Sequence, residues 1–125
     1  MAAQTEPICI LDNDRSVRRS FEQLLDSDGL TAKSFQDEED FLAYARSHTV
    51  AVAVLDMRIP GTSGLEVQAR LNEISPHTKV IIASGSQTAA IRAAAMQGGA
   101  FAFVSKPFDD EVFLSLVRRA LRAAA

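Results

Sequence analysis

Residues 50–64 read VAVAVLDMRIPGTSG, and this stretch decides the fold class of the chain. Its first six residues, Val50 to Leu55, are all apolar, which predicts a strand buried on both faces. Asp56 follows at once and opens a segment rich in turn-forming residues that ends at Gly64. In an open parallel sheet, ligands and chemistry collect in the crevice at the carboxyl ends of the strands. Asp56 is therefore the first candidate for a functional residue.

Strand-like runs alternate with helical patterns along the chain, which is typical of a parallel sheet with helices on both faces. The predicted strands are Pro7 to Leu11, Thr31 to Phe35, Val50 to Leu55, Lys79 to Ala83 and Ala100 to Val104. The predicted helices run from just after Asp14 to Gly29, onward from near Asp37, and over Leu65 to Ile74, Thr88 to Gln97 and Asp110 to about Arg122. Strands one, three and four are continuously apolar, so we expect them at the centre of the sheet.

These elements predict an α/β fold, a doubly wound five-stranded parallel sheet of the flavodoxin-like (βα)5 type in the spatial order 2-1-3-4-5. The switch point of that order falls between strands one and three. Asp12 and Asp56, which end those two strands, are therefore expected to face each other. The length of 125 residues fits a single domain over residues 1–125, with no output domain within the chain.

The charge and the apolar runs exclude several classes of protein. A net charge of −3 provides no basic field of the kind that holds nucleic-acid phosphates, so we expect no direct nucleic-acid binding. No apolar run approaches the length that spans a bilayer, and the N-terminus lacks the pattern of a signal peptide. We therefore expect a cytoplasmic protein without membrane contact. Cys9 is the only cysteine and lies in an apolar run, which predicts a buried thiol.

Polar side chains follow four of the predicted strands at the edge where the strands end. They are Asp12, Asp56, Ser84 and Lys106. Carboxylates, a hydroxyl and an ammonium are what phosphoryl transfer to a carboxylate requires, because catalysis there is mainly positioning and charge neutralisation. In this interpretation Asp56 is the nucleophile, and Asp12 with its neighbour holds Mg²⁺, a cation that prefers oxygen ligands. Lys106 and Ser84 would contact phosphoryl oxygens.

These residues, in this order, resemble the receiver domain of bacterial two-component response regulators. The matching pieces span nearly the whole chain and are Ile10-Leu11-Asp12-Asn13-Asp14, Asp56-x-Arg58-x-Pro60-x-x-x-Gly64, Ile82-Ala83-Ser84-Gly85 and Phe103-Val104-Ser105-Lys106-Pro107-Phe108. The resemblance implies that Asp56 accepts a phosphoryl group from a phosphohistidine of a sensor histidine kinase. It also implies Mg²⁺ ligands from Asp12, Asn13, Asp56 and the backbone carbonyl of Arg58, and a cis bond at Lys106-Pro107.

The resemblance further implies a conformational switch and a set of partners. Phosphorylation would draw Ser84 toward the phosphate, and Phe103 would swing inward behind it, changing the face of helix four, strand five and helix five. Phe103 also fits a half-buried strand residue without a switching role. Such a protein is not a conventional enzyme and at most catalyses its own phosphorylation and dephosphorylation. Besides the kinase, the partners it allows are an output domain or downstream protein and a homodimer formed on phosphorylation.

The chain departs from the family pattern at Asn13, where receivers usually carry a second acid that touches the metal. The Asn13 carbonyl can still bind Mg²⁺, but the pocket loses one negative charge. We therefore expect weaker Mg²⁺ binding and slower phosphorylation. Asp14 is expected to cap the first helix rather than to bind metal.

Several other polar residues can be interpreted without a role at the site. His48 and His77 lie in helix-to-strand connections, and we expect both at the surface. Arg18 and Arg19 fit either a contact with a kinase or a solvated helix face.

Two other functions are compatible with parts of the pattern. An unphosphorylated receiver-like module that binds partners through helix four to helix five is supported by Asn13 alone. A phosphatase resembling the haloacid-dehalogenase superfamily is supported by Asp12-x-Asp14-x-Ser16 after a strand, with Ser84 and Lys106 as later motifs. That family inserts a loop after its first Asp, whereas helix one here is predicted to begin at once.

Overall fold

Five parallel strands form one sheet in the computed structural model, which describes residues 6–85 and 89–124. They are β1 (Ile8–Leu11), β2 (Ala32–Phe35), β3 (Val52–Asp56), β4 (Lys79–Ser84) and β5 (Ala102–Ser105). Their spatial order is β2-β1-β3-β4-β5, and every neighbouring pair is parallel. The predicted fold class and strand order are therefore confirmed, with the three apolar strands at the centre.

Four helices connect these strands, and a fifth helix follows the last strand. They are α1 (Arg15–Ser27), α2 (Glu38–Ser47), α3 (Gly64–Ile74), α4 (Ala89–Gln97) and α5 (Asp110–Ala124). The Asp14 carboxylate accepts hydrogen bonds from the backbone N–H groups of Ser16 and Val17, which confirms its predicted role as the cap of α1. Thr88, the predicted first residue of α4, lies outside the described residues.

The central strands bury alternate side chains on opposite faces of the sheet. On one face Ile8 and Ile10 pack with α1 and α5 around Phe21 and Phe113. On the other face Leu11 and its neighbours pack with helices α2, α3 and α4. Because side chains alternate along a strand, a strand covered by helices on both faces must be apolar throughout. This is why the residue pattern identified the central strands.

The strand bounds differ from the prediction by one or two residues. Strands β1 and β2 begin one residue later than predicted, and β3 and β5 begin two residues later. Strands β3, β4 and β5 each end one residue later, at Asp56, Ser84 and Ser105, because the parallel pairing includes these polar residues. A short antiparallel hairpin, Arg58–Ile59 paired with Thr62–Ser63, was not predicted. Its turn contains Gly61 at φ +80°, a conformation that favours glycine.

The simpler predictions about single residues also agree with the structure. Cys9 is buried, and this burial raises the pKa of its thiol to about 12. His48 and His77 are exposed. In the part of the chain that the structure describes, none of the helices combines the length and apolar character needed to cross a bilayer.

Candidate functional site

Lys106 joins two carboxylates at the carboxyl edge of the sheet. Its Nζ atom lies 3.0 Å from Oδ2 of Asp12 and 3.0 Å from Oδ1 of Asp56. Asp56 ends β3, Asp12 directly follows β1, and Lys106 directly follows β5. The Lys106-Pro107 peptide bond is cis, as the resemblance implied. Three side chains that are far apart in the sequence therefore form one charged cluster at the topological switch point.

The two carboxylates are mostly withdrawn from solvent. Asp12 is 2% exposed and Asp56 is 8% exposed. Burial raises the pKa of Asp56 above its ordinary value, and the nearby Asp12 charge acts in the same direction, although hydrogen bonding from Lys106 opposes both. Burial alone would lower the pKa of Lys106, but its hydrogen bonds to Asp12 and Asp56 outweigh that effect and raise it. Lys106 is therefore held as a cation between two acids.

Asp12 is oriented by its own surroundings. Its Oδ1 atom accepts a hydrogen bond of 2.9 Å from the backbone N–H of Asp14, and its backbone carbonyl accepts one of 2.8 Å from Nη1 of Arg18. Arg18 is half-buried, while Arg19 is exposed. Arg18 thus helps to hold the backbone of Asp12 in place. Neither prediction for Arg18, a contact with a kinase or a solvated helix face, included this role. The signal available was its position one helical turn after the cap residue Asp14.

The loop that leaves Asp56 is fixed to the sheet and to α3. The backbone N–H of Met57 donates to the carbonyl of Ala83 over 3.1 Å, and that of Gly64 donates to the carbonyl of Met57 over 3.0 Å. A Cβ atom on Gly64 would lie 2.5 Å from the carbonyl oxygen of Asp56, so only glycine fits there. The backbone N–H of Arg58 also hydrogen-bonds the Asp56 carboxylate and works against the rise in its pKa.

An open crevice of about 870 Å³ lies over the cluster. Its polar lining residues are Asp12, Asn13, Asp14, Asp56, Arg58, Thr62 and Lys106. Asn13 and the Arg58 side chain are exposed at its rim. A small anionic group entering this crevice would meet the Lys106 ammonium and could approach the Asp56 carboxylate.

Ser84 and Phe103 are not among the residues that line this crevice. Ser84, the last residue of β4, is 2% exposed, and its carbonyl accepts a hydrogen bond from the backbone N–H of Lys106. Phe103 is 8% exposed rather than half-buried as expected. Its ring packs in the core shared with helices α2 to α4, and the Arg92 guanidinium lies 5.5 Å from the ring centroid. The cover provided by α4 explains the deeper burial of Phe103.

The oxygen atoms of the crevice fit a hard divalent cation with a partly aqueous shell. Among the described residues there is no cluster of three or more His, Cys, Asp or Glu side chains able to hold a metal ion. Asp12 and Asp56 supply two carboxylates, Asp14 is occupied as a helix cap, and Asn13 adds a neutral carbonyl. Mg²⁺ keeps several waters and needs only one or two carboxylates, so this donor set suits it.

A family model described as the response regulator receiver domain matches residues 8–118. The transcriptional regulatory protein FixJ of Azorhizobium caulinodans is 35% identical over 119 residues, which are 95% of this chain and 56% of that protein. The response regulator protein TodT of Pseudomonas putida is 33% identical over 124 residues, covering 99% of this chain and 55% of that protein. The chain therefore spans about half the length of these relatives.

A solved structure gives the same result. The crystal structure of FixJ-N superposes with a TM-score of 0.86 at 32% identity, covering 96% of both chains. The sequence comparison and the structural comparison thus indicate the same family, and each covers most of the chain.

Proposed function

The chain belongs to the response regulator receiver family of two-component systems, whose work is signal transduction, and we propose that Asp56 is its phosphoacceptor. In this proposal a sensor histidine kinase donates the phosphoryl group from a phosphohistidine. The protein is not a conventional enzyme and acts at most on its own phosphorylation and dephosphorylation.

The bridging position of Lys106 is the observation that carries this proposal. Two buried carboxylates that share one ammonium form an acidic pocket in which the cation offsets part of the negative charge. Such a pocket leaves Asp56 available as a nucleophile while keeping a cation within reach of an incoming phosphoryl group. An acid that merely formed a turn would need neither the burial nor the shared lysine.

The transfer itself follows from these positions. An Asp56 carboxylate oxygen forms a bond to phosphorus as the bond from phosphorus to the histidine nitrogen breaks, and the departing imidazole takes up a proton. Lys106 exchanges one carboxylate contact for a phosphoryl oxygen, which neutralises charge that the transfer brings into the pocket. The Arg58 N–H already donates to the Asp56 carboxylate and keeps its direction.

A bound Mg²⁺ would supply further charge neutralisation during the transfer. The residues that would hold it are Asp12, Asp56, Asn13 and the backbone carbonyl of Arg58. Because Asn13 contributes no charge, we expect weaker Mg²⁺ binding and slower phosphorylation than in a receiver with two adjacent acids. This expectation concerns the rate of transfer and not its site.

The response to phosphorylation is proposed to pass through Ser84 and Phe103 to the face formed by α4, β5 and α5. Ser84 lies at the end of β4 within reach of the same edge, and Phe103 is the buried aromatic of the adjacent strand. The relatives FixJ and TodT are longer regulators. We therefore propose that the signal passes from this domain to an output domain or to a downstream protein. A phosphorylation-dependent homodimer and a cytoplasmic location belong to the same proposal.

The structure counts against the phosphatase alternative. Helix α1 begins at Arg15, three residues after Asp12, which leaves no room for an inserted loop. Asn13 still favours the second alternative, an unphosphorylated module that binds partners. An experiment distinguishes this module from the proposed phosphoacceptor.

Incubation with Mg²⁺ and acetyl phosphate, followed by intact mass spectrometry, tests the proposal. We expect one phosphoryl adduct on the wild-type protein and on Asp26→Asn, a control that changes an exposed acid of α1. The adduct should be absent from Asp56→Asn. An adduct that persists in Asp56→Asn would place the acceptor elsewhere, and no adduct on the wild type with either acetyl phosphate or a phosphorylated kinase would favour the module.

A further inference from the structure

Phe108 joins the segment that carries Lys106 to helix α1. Its ring stacks on the ring of Phe21, with the ring centroids 5.1 Å apart and the planes inclined by 14°. Both rings also contact the ring of Phe113 in α5, at centroid distances of 5.1 Å from Phe108 and 4.9 Å from Phe21. Ring pairs of this kind stabilise a contact beyond the burial of apolar area. We call Phe21, Phe108 and Phe113 the aromatic cluster.

The aromatic cluster is anchored in the core of the protein. Phe21 and Phe113 are fully buried and belong to the core on the side of the sheet that α1 and α5 cover. Phe108 is half-buried and packs against this core. Because a close-packed interior resists displacement, the two buried rings restrict the position of the third. The backbone at Phe108 is therefore held by α1 and α5 together.

Phe108 lies in the connection between β5 and α5, residues 106–109. The backbone N–H of Lys106 donates to the carbonyl of Ser84 over 2.7 Å, which fixes the start of the connection to β4. The Asp109 carboxylate accepts a hydrogen bond of 3.0 Å from the backbone N–H of Val112, which fixes its end to α5. The ring of Phe108 adds a contact with α1 between these two points.

Helix α1 also holds Asp12 on the other side of the ion pair. Nη1 of Arg18 donates to the Asp12 carbonyl, and the backbone N–H of the cap residue Asp14 donates to its carboxylate. Arg18 and Phe21 are three residues apart, so they are neighbours on the surface of α1. One helix thus supports the backbone of Asp12 through Arg18 and the segment of Lys106 through Phe21.

The Lys106 side chain depends on such support because it is long and flexible. Its ammonium lies 3.0 Å from Asp12 and 3.0 Å from Asp56 only while its backbone directs it into the crevice. Holding a lysine in one conformation costs much rotamer entropy, and this side chain is 22% exposed, so water competes for the ammonium. A shift of the connection would therefore move the ammonium out of its place between the two carboxylates.

We propose that Phe108 is a positioning residue of the site: its stacking on Phe21 sets the place of the Lys106 ammonium relative to Asp12 and Asp56. Phe108 acts through Lys106 and not on the phosphoryl group. Its effect on phosphoryl transfer rests on the function proposed above, whereas its effect on the ammonium does not.

Carbon-13 NMR of the Asp12 and Asp56 carboxyl groups tests the positioning without metal or phosphate. Lys106→Met removes the ammonium and defines how the two signals respond to its loss. Phe108→Ala should shift both signals in the same direction by a smaller amount, and so should Phe108→Leu, which keeps an apolar side chain in case the alanine variant does not fold. Unchanged Asp12 and Asp56 signals in these variants overturn the proposal.

Two control variants accompany this measurement. Phe108→Tyr keeps the ring and should leave both carboxyl signals at their wild-type positions. Val117→Ala removes apolar volume from the same core at a fully buried position of α5, so it reports the effect of a general loss of stability. Shifts in Val117→Ala equal to those in Phe108→Ala would overturn a specific role of Phe108.

Calorimetric titration with Mg²⁺ gives a second readout on the unphosphorylated protein. The ammonium competes with the cation for the same carboxylates, so Phe108→Ala should bind Mg²⁺ roughly threefold more tightly than the wild type. In the Lys106→Met background, Phe108→Ala should add no further tightening, because it acts through Lys106. Weaker binding in Phe108→Ala, or the same tightening with and without Lys106, overturns the proposal.

The rate of adduct formation with acetyl phosphate and Mg²⁺, read by intact mass, tests the consequence for Asp56. We expect phosphorylation to be roughly tenfold slower in Phe108→Ala, since a displaced catalytic group costs rate, and to be near the wild-type rate in Phe108→Tyr. A wild-type rate in Phe108→Ala overturns the role of Phe108 in the transfer. If the wild type takes up no phosphoryl group, the proposed function fails, whereas the NMR and calorimetry results still decide whether Phe108 positions Lys106.

Discussion

Gly64 begins α3 in direct contact with Asp56, so closely that a Cβ on Gly64 would lie 2.5 Å from the Asp56 carbonyl oxygen. The obstacle is backbone, which cannot rotate away as a flexible side chain can. The glycine therefore sets how near α3 can come to β3, the strand that carries Asp56.

Gly64→Ala should both destabilise the fold and disturb the site. Because the added methyl group forces α3 or the loop after Asp56 to shift, we expect a loss of about 1–3 kcal/mol in the free energy of unfolding and slower phosphorylation. Urea denaturation and the rate of adduct formation measure the two effects. Gly85→Ala, which meets nothing within 4 Å, is the control for stability. A normal phosphorylation rate in Gly64→Ala would mean that the loop absorbs the methyl group.

Lys106→Met should have opposite effects on metal binding and on phosphorylation. Removing the cation 3.0 Å from each carboxylate leaves Asp12 and Asp56 free to attract Mg²⁺, so Mg²⁺ affinity should rise. Phosphorylation should fall by roughly tenfold or more, because a charge-assisted contact to the phosphoryl group is lost. Calorimetry and intact mass give the two readings, with Lys79→Met at the start of β4 as the matched control. A parallel fall in both quantities would contradict the competition between Lys106 and the metal.

Asn13→Asp should restore Mg²⁺ affinity. A unit charge about 4 Å from a divalent ion contributes on the order of 1–2 kcal/mol even with water-like screening, which corresponds to roughly tenfold tighter binding. The chain contains no tryptophan, so calorimetry or NMR is the suitable measurement. Gln23→Glu adds the same charge to the exposed face of α1 and should leave the affinity unchanged. If both variants bind Mg²⁺ equally, Asn13 does not lie at the metal site.

The ion pair between Asp28 and Arg118 should give stability its own pH dependence. Hydrogen bonding from Arg118 lowers the pKa of Asp28 below its ordinary value, and the Arg118 guanidinium contacts both carboxylate oxygens. A carboxylate with a lowered pKa stabilises the fold above its unfolded pKa of about 3.9, and this contribution is lost as the pH falls through the lower folded value. The difference in urea midpoint between wild type and Asp28→Asn should therefore be constant from pH 7 to about 5 and shrink below about pH 4. A difference independent of pH would exclude this ion pair as its source.

The helices and strands could be predicted from the sequence because the residue pattern of each segment agrees with the structure that the segment adopts. Apolar runs of strand length, helix caps such as Asp14 and polar residues at strand ends are all readable from neighbours in the chain. From these the strand order followed, and with it the meeting of Asp12 with Asp56.

The contacts that escaped prediction depend on the packing of distant segments. The pattern of α3 could place Gln68 on the buried stripe, but its hydrogen-bond partner, the backbone carbonyl of Ala95, lies 27 residues away, and no local rule identifies it. The burial of Phe103 depends likewise on how α4 covers β5. The Arg58–Ser63 hairpin escaped because its strands have two residues each, too short for a period-two pattern.

The position of Lys106 has a mechanical consequence. It follows β5, an edge strand bonded along one side only, to β4. A central strand such as β3 is paired along both sides, whereas an edge strand is paired along one side only. A change in the charge balance of the crevice therefore acts, through the single Lys106 ammonium, on a strand with half the backbone pairing. The chain thus couples a strand held on both sides, which carries Asp56, to a strand held on one side.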